Sequence, residues 1–258
     1  MSDAGVVGWS TSAPGVWSVV LQRPPANALA PELLDGLHAA LDAAEAAGDV
    51  RVLVISSTLP GFFAAGADIK HLATIDAESF LAYGALMRAA NDRIAAAGFL
   101  TVAAVDGMAL GGGLELAMAC TLRVAGPAAR FGLPEVAIGL IPGAGGTQRL
   151  PRLVGRGRAL DIMLTGRQVP ADEALAIGLV DRLTDGDALT AALALAAELS
   201  RASLPAQLAV VRAVDAADDL PLAEGAEFEV AQEQGLFTDG EAAEGIAAFV
   251  GKRKPEFR

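Results

Sequence analysis

The stretch VDGMALGGGLELAMAC, from Val105 to Cys120, places three consecutive glycines and one glutamate within a long apolar run. The β-branched segment TVAAV at 101–105 predicts a buried strand, so the glycines at 111–113 stand where a strand turns into a helix. The first N–H groups of a helix have no partner within it and carry about half a positive charge. These free N–H groups predict a site that binds an anionic oxygen. The alternative is that the glycines only allow the strand and the helix to pack closely.

The same order of strand, loop and helix recurs on the N-terminal side of this stretch. Two apolar β-branched runs predict strands, and two segments with apolar residues at helical spacing predict helices. The strands are at 16–21 and 50–56, and the helices are at about 31–47 and 77–97. Strands that alternate with helices predict an α/β fold with a largely parallel sheet. From about residue 188 onward only helical segments follow.

Composition limits the class of protein. The chain has 258 residues, a net charge of −12 and one cysteine, Cys120. A single cysteine excludes an intramolecular disulfide framework and favours a reducing compartment, and the N-terminus does not resemble a signal peptide. We therefore expect a cytoplasmic protein. The net negative charge disfavours binding to nucleic acid or to an anionic membrane. The apolar window at 94–120 carries Asp106 and Glu115, which favours a buried core segment over a membrane span.

Common cofactor and nucleophile motifs are absent from the sequence. It contains no Walker motif, no complete GxGxxG and no GxSxG. The two histidines, His38 and His71, form no HExxH pair and lie far from Cys120 in sequence. We therefore expect no metal and no bound cofactor.

Two glutamates in apolar surroundings remain as candidates for acid and base. Glu115 follows Gly112 by about one helical turn, which brings its carboxylate close to any group bound by the glycine N–H groups. Glu135 lies in the apolar segment FGLPEVAIGLIPGAGG. Two neighbouring carboxylates repel each other, which raises one pKa and keeps one group protonated as an acid.

A second small-residue loop, FFAAGAD at 62–68, can supply another N–H group to the same oxygen. Two such donors form an oxyanion hole. This combination predicts a metal-free lyase that stabilises an enolate and adds water across the adjacent C–C bond, or removes it.

Five segments together resemble the crotonase superfamily, and specifically enoyl-CoA hydratases. They are FFAAGADIK, VDGMALGGGLELAMAC, FGLPEVAIGLIPGAGGTQRLPRLVG, LTGRQVPADEALAIGLVDRL and EGIAAFVGKRKPEF. The resemblance implies an α/β spiral of repeated ββα units with a C-terminal α-helical trimerisation region. It divides the chain into a core with the active site at 1–190 and a helical oligomerisation region at 191–258, assembled as a homotrimer or as a hexamer built from two trimers.

The resemblance also implies roles for individual residues. The N–H groups of Ala67 and Gly112 would hold a thioester oxygen, with Glu135 as the main proton donor and Glu115 activating water. A further set would line the entrance for the CoA and acyl parts of the substrate: Ala65, Asp68, Ile69 and Lys70.

The implied function is hydration of trans-2-enoyl-CoA, with CoA carried as part of an acyl-CoA thioester substrate and no separate cofactor. Fatty-acid β-oxidation or related acyl-CoA catabolism is the implied setting. Two alternatives stay open: another crotonase reaction such as 3,2-enoyl-CoA isomerisation, and a non-catalytic acyl-CoA or RNA binder.

Overall fold

A computed structural model describes residues 5–257 of the chain as two β-sheets surrounded by helices. The strands are β1 (Val7–Ala13), β2 (Val16–Leu21), β3 (Val52–Ser57), β4 (Phe62–Ala64), β5 (Leu100–Val105), β6 (Met108–Leu110), β7 (Leu122–Ala125), β8 (Arg130–Gly132), β9 (Val169–Pro170) and β10 (Arg182–Leu183). The helices are α1 (Pro31–Ala47), α2 (Ile69–Leu72), α3 (Ala77–Ala95), α4 (Gly112–Ala119), α5 (Gly146–Val154), α6 (Arg156–Thr165), α7 (Ala171–Ala176), α8 (Ala188–Leu199), α9 (Leu204–Ala216), α10 (Leu222–Asp239) and α11 (Ala242–Val250).

The larger sheet has the strand order β1-β2-β3-β5-β7-β10. Every neighbouring pair in it is parallel except β1 and β2. The smaller sheet, β4-β6-β8-β9, is parallel over its first three strands. The α/β fold with a largely parallel sheet is therefore confirmed, and two strands precede a helical segment repeatedly along the chain.

Helix α1 forms as its sequence predicts. Its apolar residues recur at helical spacing and are buried, and Pro31 occupies the first turn, where its missing N–H costs nothing. Gly48 ends the helix with φ of 69°, a left-handed conformation that favours glycine.

Both faces of the larger sheet are covered. One face packs with α1, α3 and α4 in a large apolar core, and the other packs against α8. All six residues of the central strand β5 are buried, as expected for a strand covered on both sides. The apolar window at 94–120 thus forms part of the core, and within residues 5–257 no helix is both long and apolar enough to cross a bilayer.

The C-terminal part of the chain is helical from Ala188, as predicted. Helix α8 packs on the sheet, whereas α10 buries no residue of its own and α11 buries only Ala248. The suggested division between 190 and 191 falls within α8 and stays a prediction. Several large apolar side chains on the last two helices are exposed: Leu222, Val230, Phe237, Ile246, Phe249 and Val250.

Candidate active site

Two loops, one from each side of the predicted site, meet at their glycines. A Cβ atom on Gly66 would lie 2.8 Å from the carbonyl oxygen of Leu110, and one on Gly112 would lie 3.7 Å from the nitrogen of Ala67. Neither the Ala67 N–H nor the Gly112 N–H donates to an acceptor in the described part of the chain. The two amides are therefore close together and available to one shared oxygen.

The three consecutive glycines are required by close approach. A Cβ atom on Gly113 would overlap the carbonyl of Ala64, and one on Gly111 would lie 2.8 Å from Oε1 of Glu135. Gly111 also has a φ of 51° with a ψ of −127°, which a residue with a side chain rarely adopts. Close strand–helix packing and free N–H groups are thus both present at this turn.

Glu115 lies in the first turn of α4 and is 2% exposed. Its Oε1 accepts hydrogen bonds from the N–H groups of Ala144 and Gly146, at 2.8 and 2.7 Å. Burial raises the pKa of Glu115, while these hydrogen bonds and the nearby charges of Arg149 and Arg88 act in the opposite direction. The site therefore buries this carboxyl but also provides donors that favour its ionised form.

Glu135 begins a short 3₁₀ turn at Glu135–Ile138 and is half-buried. Its Oε2 is buried and accepts no hydrogen bond from the described residues. Burial, with a smaller contribution from the charge of Glu115, raises the pKa of Glu135 to about 7. One of the two carboxyls is therefore suited to hold a proton near neutral pH, as the sequence predicts.

Both glutamates open into one cavity of about 500 Å³. Of the residues predicted for the site, it is lined by Ala65, Ala67, Ile69, Gly112, Glu115 and Glu135. Most of the remaining wall is apolar and comes from α3 and from the segment 134–143. Such a volume suits a small organic ligand with an apolar part.

Asp68 and Lys70 do not line this cavity. Asp68 is buried, accepts hydrogen bonds from the N–H groups at the start of α2 and forms an ion pair with Arg23 at 2.9 Å. Lys70 is exposed on α2. Their predicted contacts with substrate stay predictions, and in the structure Asp68 holds the loop that carries Ala67.

The contribution of α3 to the site is not foreseen from the sequence. Tyr83, the only tyrosine in the chain, lies on α3 and is buried. Its hydroxyl donates to the carbonyl of Leu29 at 2.5 Å and accepts from the N–H of Asp68 at 3.0 Å. Tyr83 thereby connects α3 to the Ala67 loop. A lone tyrosine among small residues is the signal that could have indicated this contact.

The two histidines and the cysteine, which the sequence does not favour as catalytic groups, pack against other side chains of the fold. His38 lies 3.1 Å from a guanidinium nitrogen of Arg93, and the ring of His71 packs edge-on against Tyr83. Burial raises the pKa of the Cys120 thiol to about 12, which makes it a poor nucleophile. Residues 5–257 contain no group of three His, Cys, Asp or Glu side chains placed to hold a metal ion.

Comparison with known proteins supports this fold. The family model for enoyl-CoA hydratase/isomerase matches residues 11–258. A protein of Rhizobium meliloti (strain 1021) named "Probable enoyl-CoA hydratase" is 44% identical over 245 residues, covering 93% of each chain. The mouse protein named "Methylglutaconyl-CoA hydratase, mitochondrial" is 37% identical over 240 residues, covering 90% of this chain and 76% of its own.

A solved structure leads to the same class. The crystal structure of an enoyl-CoA hydratase from Bacillus anthracis superposes with a TM-score of 0.93 at 32% identity, covering 98% of this chain and 99% of the other. Fold and motifs together define a crotonase-type protein. The chain belongs to the enoyl-CoA hydratase/isomerase family.

Proposed function

We propose that the protein is an enoyl-CoA hydratase that adds water reversibly, with syn geometry, to trans-2-enoyl-CoA and yields 3-hydroxyacyl-CoA. The observation that carries this proposal is the pair Glu115 and Glu135 beside two free loop amides in one cavity. Family membership supports an acyl-CoA thioester as the substrate. CoA enters as part of that substrate, and the reaction as proposed uses no separate cofactor.

In the proposed mechanism the thioester oxygen binds the N–H groups of Ala67 and Gly112. These donors stabilise the enolate that forms when water adds at the β-carbon, and the loss of one such donor typically costs about 2.7 to 4 kcal/mol of barrier. Glu115, ionised and fixed by its two backbone donors, accepts a proton from the attacking water. Glu135, protonated near neutral pH, gives its proton to the α-carbon.

This division of roles between the glutamates rests on their surroundings. Glu115 receives two backbone hydrogen bonds that favour its charge, whereas the buried Oε2 of Glu135 receives none from the described residues. Glu135 has one backbone donor, its own N–H, against two for Glu115, and the carboxyl with fewer donors and the pKa of about 7 is the better acid. The pair thus starts each hydration with one proton in total.

Isomerisation of a 3-enoyl-CoA to the 2-enoyl-CoA is the second candidate. The same oxyanion hole serves that reaction, and the family description includes isomerases. Only one proton carrier is then needed, so two carboxyls in the cavity favour hydration. A Glu115→Gln variant separates the two, because an isomerase using Glu135 keeps appreciable activity while a hydratase loses it.

Physiological setting and assembly are part of the proposal. We place the protein in fatty-acid β-oxidation or related acyl-CoA catabolism, in the cytoplasm, as a homotrimer or a hexamer. The exposed apolar side chains of α10 and α11 support assembly through the C-terminal helices, because such surfaces are unusual on a monomer. Sedimentation of the purified protein tests this, and a monomer at micromolar concentration would contradict it.

Activity is tested by following the absorbance of the conjugated enoyl thioester. We expect rapid loss of absorbance with a trans-2-enoyl-CoA. Gain of absorbance from a 3-enoyl-CoA, without loss from the 2-enoyl-CoA, would instead identify an isomerase. Neither change, in a protein that binds CoA thioesters, would identify a binder, and retention on RNA at physiological salt would identify an RNA-binding relative.

A further inference from the structure

We infer that Arg88 makes this cavity selective for acyl chains that carry a carboxylate at the end remote from the thioester. The inference rests on the proposed binding of an acyl thioester with its carbonyl at Ala67 and Gly112. It names a substrate class for that site: monothioesters of short dicarboxylic acids.

Arg88 is the one cationic side chain among the described residues that line the cavity. It projects from α3 beside apolar wall residues such as Leu81, Met87 and Ile141. An unbranched apolar acyl chain needs no cation in this wall. The charge of Arg88 acts on Glu115, and its guanidinium is also placed to meet an anionic part of a ligand in the cavity.

The side chain of Arg88 is directed toward the cavity by its neighbours. One of its terminal nitrogens donates to the carbonyl of Gly143 at 3.2 Å. The guanidinium also lies over Gly84, where a Cβ atom would come within 3.1 Å of that nitrogen. Both Gly84 and Gly143 line the cavity. A glycine one helical turn before Arg88 thus leaves room for the guanidinium at the cavity wall.

Arg88 forms no ion pair with a carboxylate among residues 5–257. Its neighbour Arg149, in contrast, is bound to Asp92 at 3.1 Å. A guanidinium has five N–H donors, and that of Arg88 forms only one bond, to a neutral carbonyl. The remaining donors match a carboxylate, which arginine binds through two parallel hydrogen bonds.

The position along α3 fits the far end of a short acyl chain. Tyr83 contacts the loop that holds Ala67, and Arg88 contacts the carbonyl of Gly143, which adjoins the segment bound to Glu115. Arg88 follows Tyr83 by five positions on the helix, or about 7.5 Å along its axis. A carboxylate bound by Arg88 would therefore lie beside the segment that holds Glu115, and this length of α3 separates it from the residue that contacts the Ala67 loop.

Overall charge makes a local cation necessary for such a ligand. The chain carries a net charge of −12, and the ionised Glu115 adds negative charge next to the bound chain. A second carboxylate on the substrate is repelled by both. Arg88 offsets that repulsion at the point where the carboxylate would lie.

The test compares binding of two saturated thioesters that differ only at the far end, glutaryl-CoA and valeryl-CoA, by calorimetry. Because neither can be hydrated, the result does not depend on the proposed reaction. We expect the wild-type protein to bind glutaryl-CoA more tightly. Arg88→Gln should weaken glutaryl-CoA binding by roughly 10- to 100-fold. The same change should weaken valeryl-CoA binding by about threefold or less.

Arg158→Gln is the matched control. Arg158 is also exposed and also donates to one backbone carbonyl, that of Val154, but it lies outside the cavity. Arg158→Gln should leave the affinities for glutaryl-CoA and valeryl-CoA unchanged. Equal weakening of both thioesters by Arg88→Gln would mean that the guanidinium binds the CoA phosphates or supports the fold, and would overturn the inference. Wild-type preference for valeryl-CoA would also overturn it.

Turnover is measured separately with the matching 2-enoyl thioesters, with and without the terminal carboxylate. Hydration of neither, together with selective glutaryl-CoA binding, would reject the proposed reaction while supporting Arg88 as the carboxylate site. Hydration of both at equal efficiency, with no effect of Arg88→Gln on their ratio, would support the reaction and reject the selectivity.

Discussion

The Oε1 atom of Glu115 lies 2.7 Å from the backbone nitrogen of Gly146, the residue that begins α5. The same oxygen also accepts from the N–H of Ala144. Helix α4, which carries Glu115, is thereby joined to α5 through a carboxylate that lines the cavity. This contact fixes the orientation of the proposed base and favours its charged form.

Gly146→Ala should disturb this contact. The added Cβ atom would lie 2.9 Å from Oε1 of Glu115 and 2.7 Å from Pro142, so the carboxylate or the loop must move. We expect hydration kcat to fall roughly 10- to 100-fold, because small displacements of a catalytic group are costly. Steady-state kinetics measure this. Gly157→Ala on α6, where the new Cβ meets nothing within 4 Å, is the control and should keep wild-type kcat.

Glu135 should set the alkaline limit of the reaction. Its pKa of about 7 means that the proton needed by the α-carbon is lost as the pH rises through that value. We expect hydration kcat/KM to fall about tenfold per pH unit well above it, since kcat/KM reports groups of the free enzyme. Measurement from about pH 6 to about pH 9 tests this. A flat profile would show that Glu135 is not the proton donor.

Glu135→Gln should increase stability while it reduces activity. Because burial raises the pKa of this carboxyl from 4.5 to about 7, the folded protein holds a proton that the unfolded chain releases within that window. The free energy of unfolding therefore decreases as the pH rises from 4.5 to about 7. Above about pH 7 the destabilisation by the buried Glu135 carboxylate has reached its full value. We expect the variant to be more stable by about 1 to 3 kcal/mol at about pH 8, with a smaller gain at about pH 5. Chemical unfolding at both pH values measures it. An equal gain at both would contradict burial of an ionisable carboxyl as the cause.

Tyr83→Phe should weaken the oxyanion hole. The change removes the acceptor for the N–H of Asp68 and the donor to Leu29, both beside the loop of Ala67. A buried donor without a partner costs about 1 to 3 kcal/mol, which loosens that loop. We expect kcat to fall about tenfold or more with KM little changed, because thioester oxygen charge grows mainly in the transition state. A rise in KM alone would instead indicate a role in the cavity wall.

Much of the fold follows from sequence pattern. The strand at 101–105 is continuous and β-branched, α1 has a clear apolar face, and the glycines at 111–113 mark the turn between strand and helix. These are local signals. The strands β4, β6 and β8 cannot be separated from their loops by pattern because each has only three residues, too few to establish a period.

Part of the site was predictable because it depends only on local geometry within one helix. Glu115 stands one helical turn from Gly112, so its place follows from local geometry. Its partner Gly146 is 31 residues away, and the pairing depends on how α5 packs beside α4. Tyr83 and Arg88 reach the cavity because α3 lies across it, which hydrophobic spacing within one helix does not encode.

The most direct test of the central claim is a comparison of Glu115→Gln, Glu135→Gln and the double variant by loss of enoyl-thioester absorbance. If the two carboxyls act on one water as a unit, each single change should reduce kcat by roughly 10²- to 10⁴-fold, and the double variant should be little worse than either. Folded single variants that keep near wild-type kcat, or a double variant whose loss is the product of the two, would contradict the account.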